Sequence, residues 1–99
     1  MKYVNNNFTE QTIKRSNASS YNEDVLTKGT LILTNFRIYL SLSEEEKINE
    51  VLLKDIKRVS IGGFHVVRIE LSDKNYSFFV NNVFSWIREI KKAIKVLNW

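Results

Sequence analysis

His65 is the single imidazole of a chain that has no cysteine. A metal centre needs several His, Cys or carboxylate ligands, and a hydroxyl nucleophile needs a base with its own orienting partner. One histidine with no adjacent acid supplies neither. The missing cysteines also exclude disulfides, thiolate catalysis and Cys-ligated metals. Gly62-Gly63, just before His65, lacks the pattern of a phosphate or dinucleotide loop and reads as a turn. Glu44, Glu45 and Glu46 are contiguous, whereas a calcium loop spaces its oxygen ligands, so they read as a solubilising turn. The sequence thus leads us to expect no enzyme, no catalytic residue, no metal, no cofactor and no small-molecule substrate.

Basic residues carry the remaining chemistry. Lys and Arg total 15 against 11 Asp and Glu, a net charge of +4. The first 50 residues hold 6 basic and 7 acidic groups, and the remaining 49 hold 9 and 4. The excess positive charge therefore sits in the second half, where it can attract phosphates or an anionic membrane. Arg88, Lys91, Lys92 and Lys95 recur at a spacing that puts them on one face of a helix. They form a candidate basic face, although the solvated side of a docked helix is the favoured reading of the same residues. No aromatic platform accompanies them, so no nucleic-acid partner is expected.

The elements that must position these residues follow from hydrophobic period. At 99 residues with 43% apolar content the chain makes one domain. Residues 1–7 read as a polar, flexible leader and 8–99 as the single domain. A weakly patterned first strand falls within 8–18, and 19–27 reads as a loop. Residues 28–34 and 37–43 alternate as strands joined at Asn35-Phe36. A two-residue loop there pairs Leu33 with Ile38 and Leu31 with Leu40 on one face, and Ile32 with Tyr39 on the other. Strands at 48–53 and 56–61 follow. Gly62-Gly63 with Phe64 predicts a turn that sets Val59 opposite Val67 and gives His65 inward parity. The Asp73-Lys74 turn predicts Leu71 opposite Tyr76 and Ile69 opposite Phe78.

After Val80 the period changes to that of a helix. Val83, Ile87, Ile90, Ile94 and Leu97 form an apolar stripe widened by Trp86 and Ala93, with Asn81-Asn82 placed to cap it. The pattern predicts a mainly β (α+β) fold. Seven antiparallel strands form a partly open barrel, capped by one C-terminal helix.

KGTLILTNFRIYL at 28–40 resembles the Gly-x-Leu-x-Leu-Thr-Asn-x-Arg hairpin of the GRAM branch of the pleckstrin-homology (PH)-like superfold. VLLKDIKRVSI at 51–61, YSFFV at 76–80 and the terminal helix extend the resemblance over roughly residues 8–97. The resemblance implies a PH/GRAM-like binding module whose relatives engage phosphoinositides, other anionic lipids or proteins. It also implies candidate anion- or lipid-binding positions on the first strands: Lys14, Arg15, Lys28 and Arg37. Glu23, Asp24 and the Glu44–Glu46 run stand close to them in sequence, and carboxylates beside a phosphate site repel the ligand.

A protein partner, or self-association through a sheet edge, is therefore the first expectation. Peripheral binding to an anionic phospholipid membrane is the alternative. Ile32, Tyr39 and Trp99 are the candidate apolar interaction surface. A polar N-terminus and the lack of cysteine predict a cytoplasmic protein, with peripheral membrane residence as the variant.

Overall fold

The computed structural model describes residues 9–22 and 24–97. The expected leader at 1–7, and Trp99, lie outside them. Seven strands precede one helix: β1 Thr12–Asn22, β2 Val25–Thr34, β3 Arg37–Ser41, β4 Lys47–Leu52, β5 Arg58–Gly63, β6 Val66–Glu70, β7 Asn75–Phe79 and α1 Val83–Leu97. A short 3-10 turn at Leu53–Asp55 separates β4 from β5. All pairings are antiparallel, in the order β4-β3-β2-β1-β7-β6-β5. β4 and β5 do not pair, so the barrel stays open. The seam between its halves is two residue pairs long, Ser19 with Phe79 and Ser20 with Phe78.

Strand alternation sends Leu31, Leu33, Ile38 and Leu40 inward, where they meet Val67, Ile69 and Phe78 in one buried core. The hairpin register is the expected one, Leu33 with Ile38 and Leu31 with Leu40. A one-residue slip would expose all four, and each aliphatic left in water forfeits about 1.5–3 kcal/mol. Helix α1 packs against β5, β6 and the 3-10 turn. Its buried residues are Val83, Trp86, Ile90 and Ala93, so the docked stripe is rotated toward Trp86 and Ala93. The Trp86 Nε1–H donates to Ser16 Oγ at 3.1 Å, which satisfies the one polar atom of a fully buried indole. Asn82 caps the helix: its Oδ1 accepts the Ser85 N–H at 3.4 Å.

Three expectations are corrected. The 19–27 segment is not a loop but the end of β1 and the start of β2, paired down to Asn22 with Val25. Asp24, in the connection between the two strands, adopts the left-handed φ of 68° that a tight turn demands. The β5–β6 turn is Phe64-His65, two residues later than expected. It pairs Val59 with Ile69 and Ile61 with Val67, and Gly62-Gly63 is absorbed as a strand irregularity. His65 takes φ 62° in that turn and is exposed, not inward. The β6–β7 ladder is shifted by two as well, with Ile69 opposite Tyr76 and Val67 opposite Phe78. Both shifts are even, so the buried faces survive.

Candidate functional site

The four candidate anion-binding residues do not converge. Lys14 lies on the inner face of β1, with its Nζ 5.3 Å from the centre of the Trp86 ring. Arg15 is paired with Ile32 and Lys28 with Ser19, about 13 Å apart along β2. Arg37 is committed elsewhere. Its Nε and Nη2 hold both oxygens of Glu10 at 2.8 and 3.1 Å, and its Nη1 holds Glu50 at 3.0 Å. These bonds keep the Glu10 carboxyl below its ordinary pKa and push the guanidinium's own pKa up. Three of the five Arg37 N–H donors are thus taken by carboxylates, whose charge repels a phosphate.

The whole Thr34-Asn35-x-Arg37 motif fastens the start of β1. Thr34 Oγ1 donates to Glu10 Oε2 at 2.7 Å and accepts the Phe36 and Arg37 N–H groups at 3.0 and 3.1 Å. Asn35 Oδ1 accepts the Gln11 N–H at 2.8 Å, and its Nδ2 donates to the Thr9 carbonyl at 2.9 Å. Asn35 is in the turn for these bonds, not for a left-handed backbone, since its φ is not positive.

The barrel end beside the β1–β2 and β3–β4 connections is bridged by side-chain hydrogen bonds. Asn49 on β4, at φ 53°, reaches across the mouth. Its Nδ2 donates to Ser20 Oγ at 2.8 Å and to the Tyr21 carbonyl at 3.2 Å. Ser20 Oγ donates on to the Ser77 carbonyl at 3.0 Å. The exposed carboxylate run Glu44–Glu46 lies in the neighbouring β3–β4 turn.

Ile32 and Tyr39 are buried, contrary to the expected open patch. The Arg37 guanidinium lies 4.7 Å from the centre of the Tyr39 ring and Lys47 Nζ 5.5 Å, so cationic side chains roof that outer face.

Two concavities among the described residues are candidate sites. A shallow one of about 620 Å³ lies on the outer face where β1 leaves β7. Lys28 and His65 border it with Asn17, Ser19 and Asn81, and no carboxylate is among its lining residues. The other is a groove of about 680 Å³ between the C-terminal half of α1 and the β2–β3 connection. Its walls are Ile13, Phe36, Ala93, Val96 and Leu97, with Glu89 and Lys92 also lining it. Ile13, Val96 and Leu97 are exposed apolar residues.

The candidate basic face is exposed along its length, at Arg88, Lys91, Lys92 and Lys95. Within it Lys92 lines the groove, and Arg88 and Lys95, at i−4 and i+3, share its side of the helix. Glu89, which also lines the groove, makes a loose pair with Arg88 at 3.9 Å. Ile13, Phe36 and Val96 come from three separated segments, and the one sequence signal for the groove is Val96 breaking the polar side of the helix.

No family model and no curated protein sequence matches the chain. Solved structures do. The Vps36 N-terminal PH domain superimposes with a TM-score of 0.68 at 15% identity, covering 89% of this chain and 81% of that one. The Slm1 PH domain in complex with inositol-4-phosphate gives 0.65 at 13% identity, covering 83% and 95%. The DH/PH domain of human ARHGEF11, in a complex containing human RhoA, gives 0.71 at 10% identity, covering 87% of this chain and 29% of that one. At these identities the likeness establishes the fold alone: the chain has a PH-like fold, a seven-stranded open barrel capped by its C-terminal helix. Among the described residues no helix is long and apolar enough to cross a membrane.

Proposed function

We propose that the chain is a non-catalytic, PH-like binding module for a protein partner, and that the groove between α1 and the β2–β3 connection is where the partner docks. The occupant is an apolar segment carrying acidic residues. The observation that supports this is one juxtaposition: exposed Ile13, Val96 and Leu97 wall an apolar cavity lined also by Lys92 and Glu89, and exposed Arg88 and Lys95 flank Lys92 on the same helix, so basic groups there outnumber the one carboxylate. Apolar walls supply the affinity, and a basic rim selects for acidic neighbours. The sheet edges are poorer docking places. β4 carries the Asn49 bulge and β5 the irregularity before Gly63, and each shortens the ladder a partner strand could extend. On this reading residues 8–99 are the one binding unit, and the resemblance of the hairpin at 28–40 supports a place in the GRAM branch.

Selection from a library of random displayed peptides tests this directly. Binders should combine large aliphatic or aromatic residues with Asp or Glu. Val96→Asp should weaken them at least about tenfold, about 1.4 kcal/mol. Selected peptides without acidic bias, or equal binding to Val96→Asp, would overturn the assignment.

An anionic membrane surface is the second reading. It is favoured by Lys28 and His65 sharing a concavity whose lining holds no carboxylate. Vesicles containing phosphatidylserine should then pellet the protein at low salt and release it at high salt, and Lys28→Glu should abolish pelleting. Absence of salt-sensitive pelleting removes this reading.

A further inference from the structure

We propose that Thr9–Ile13 is a strap that builds the strand-side wall of the groove, with Glu10 as its positioning residue, so that the groove binds only while the strap is fastened. The inference rests on the groove reading above and adds what controls that site. Of β1 only Ile13 lines the groove, and it does so from an irregular place. Thr12 pairs with Thr34 and Lys14 with Leu33, so Ile13 is the extra residue where the register shifts. Such a residue has no ladder partner, and its aim is set by what holds the chain on either side. On the C-terminal side that is the β1–β2 ladder. On the N-terminal side it is the strap.

The strap's bonds run to the β2–β3 connection and the strand ends beside it. Asn35 holds Gln11 twice: its Oδ1 accepts the Gln11 N–H at 2.8 Å, and its backbone N–H donates to the Gln11 carbonyl at 3.2 Å. Its Nδ2 donates to the Thr9 carbonyl at 2.9 Å. Between these residues, the Glu10 carboxylate accepts from Thr34 Oγ1 and from Nε and Nη2 of Arg37. The same connection is the groove's second wall, since Asn35 and Phe36 line it and the Phe36 N–H donates to Thr34 Oγ1 at 3.0 Å. One carboxylate thus ties the wall of Ile13 to the wall of Phe36, although Glu10, Thr34 and Arg37 do not themselves line the groove. The third wall, Ala93, Val96 and Leu97, belongs to α1 and takes no bond from Glu10.

Residues 9–13 are all exposed, so the strap can open without unfolding the core. The Glu10 and Arg37 side chains are 35% and 26% exposed, which keeps their bonds moderate in strength and the opening within reach. With the strap open, Ile13 loses the hold on its N-terminal side and the groove loses a defined wall. An occupant packed on Ile13 favours the fastened strap, and the fastened strap favours the occupant by the same factor.

The test uses the full chain and a synthetic copy of the tightest displayed peptide selected against wild type. Binding is titrated by calorimetry at a temperature where circular dichroism shows every variant folded. Glu10→Ala removes the strap's charged tie, and Glu10→Gln keeps an acceptor for Thr34 and Arg37 without the charge. Glu10→Ala should weaken the peptide at least about fivefold, the lower end of ordinary coupling between two sites, and Glu10→Gln should weaken it less. Ser20→Ala loosens the barrel mouth instead and should leave the affinity at its wild-type value. In wild type the peptide should slow amide exchange at Gln11 and Asn35, whose N–H groups close the strap. Wild-type affinity in Glu10→Ala overturns the proposal. An equal loss in Ser20→Ala also overturns it, because the effect would then be general destabilisation, and so does unchanged exchange at Gln11 and Asn35. Val96→Asp separates this failure from that of the groove. If Val96→Asp weakens the peptide while Glu10→Ala does not, the groove stands and the strap falls. If the peptide binds Val96→Asp as it binds wild type, the groove reading fails and the strap with it.

Discussion

Replacing Arg37 by Met isolates what the guanidinium does, because the apolar stem over the Tyr39 ring is largely kept. Three charge-assisted bonds disappear, two to Glu10 and one to Glu50. Fully buried, each would contribute about 1.5–3 kcal/mol. The side chains of Arg37, Glu10 and Glu50 are 26%, 35% and 44% exposed, so solvent screening pulls the total toward surface-pair values. We expect a loss of about 2 kcal/mol at pH 7, or a fall of about 10 °C in Tm for a domain of this size. The pH dependence identifies the cause. The folded Glu10 carboxyl is held below its ordinary value of 4.5, chiefly by its hydrogen bond from Arg37. Its contribution is complete above that ordinary value and is lost as pH falls through the folded one. Thermal melts of wild type and Arg37→Met, followed by circular dichroism, should therefore converge between pH 7 and a buffer acid enough to protonate the folded Glu10 carboxyl. A gap of equal size at both pH values would refute the ion-pair account, as would a variant that melts with wild type at pH 7.

Gly29→Ala should destabilise the domain by about 2–3 kcal/mol in urea titration. A Cβ there would lie 2.5 Å from the Ser41 carbonyl oxygen, backbone that cannot swing aside; a loss under about 0.5 kcal/mol would show that the sheet yields. Ser20→Ala removes both the acceptor for Asn49 and the donor to Ser77, and should cost about 1–2 kcal/mol with faster amide exchange around the bridged barrel mouth. Unchanged exchange would mean that the network does not hold the mouth together. Asn49→Ala should melt below Asn49→Gly by about 1 kcal/mol, because both lose the side-chain bonds but only alanine is strained at φ 53°. Equal midpoints would remove backbone strain from that comparison.

What could be read from sequence depended on whether a segment buries one face. The β2–β3 register was legible because Leu31, Leu33, Ile38 and Leu40 must all point inward together. The β1–β2 hairpin was not, since its outer half stands free and has no period for burial to impose. Gly62-Gly63 misled for a different reason. Two glycines are a strong turn signal, but here the strand absorbs them and the left-handed position falls on His65, a residue type that gives little warning of it. Even register errors preserve parity, which is why the fold class came through intact while the turn did not. The basic residues of the first strands were legible as types but not as a site. Convergence depends on which face each occupies, and Arg37 is tied to Glu10, 27 positions away. The groove was out of reach because its walls meet only after the helix docks.

The two-pair seam between β1 and β7 has a kinetic consequence. Residues 12–52 form one consecutive meander and 58–79 another, so each half assembles from neighbours along the chain. Joining the halves brings together groups such as Ser20 and Ser77, 57 positions apart, and that closure carries a large loop entropy. Closing the Ser19 and Ser20 rungs is therefore the slow, non-local step of assembly, and the seam acts as the latch that completes the barrel.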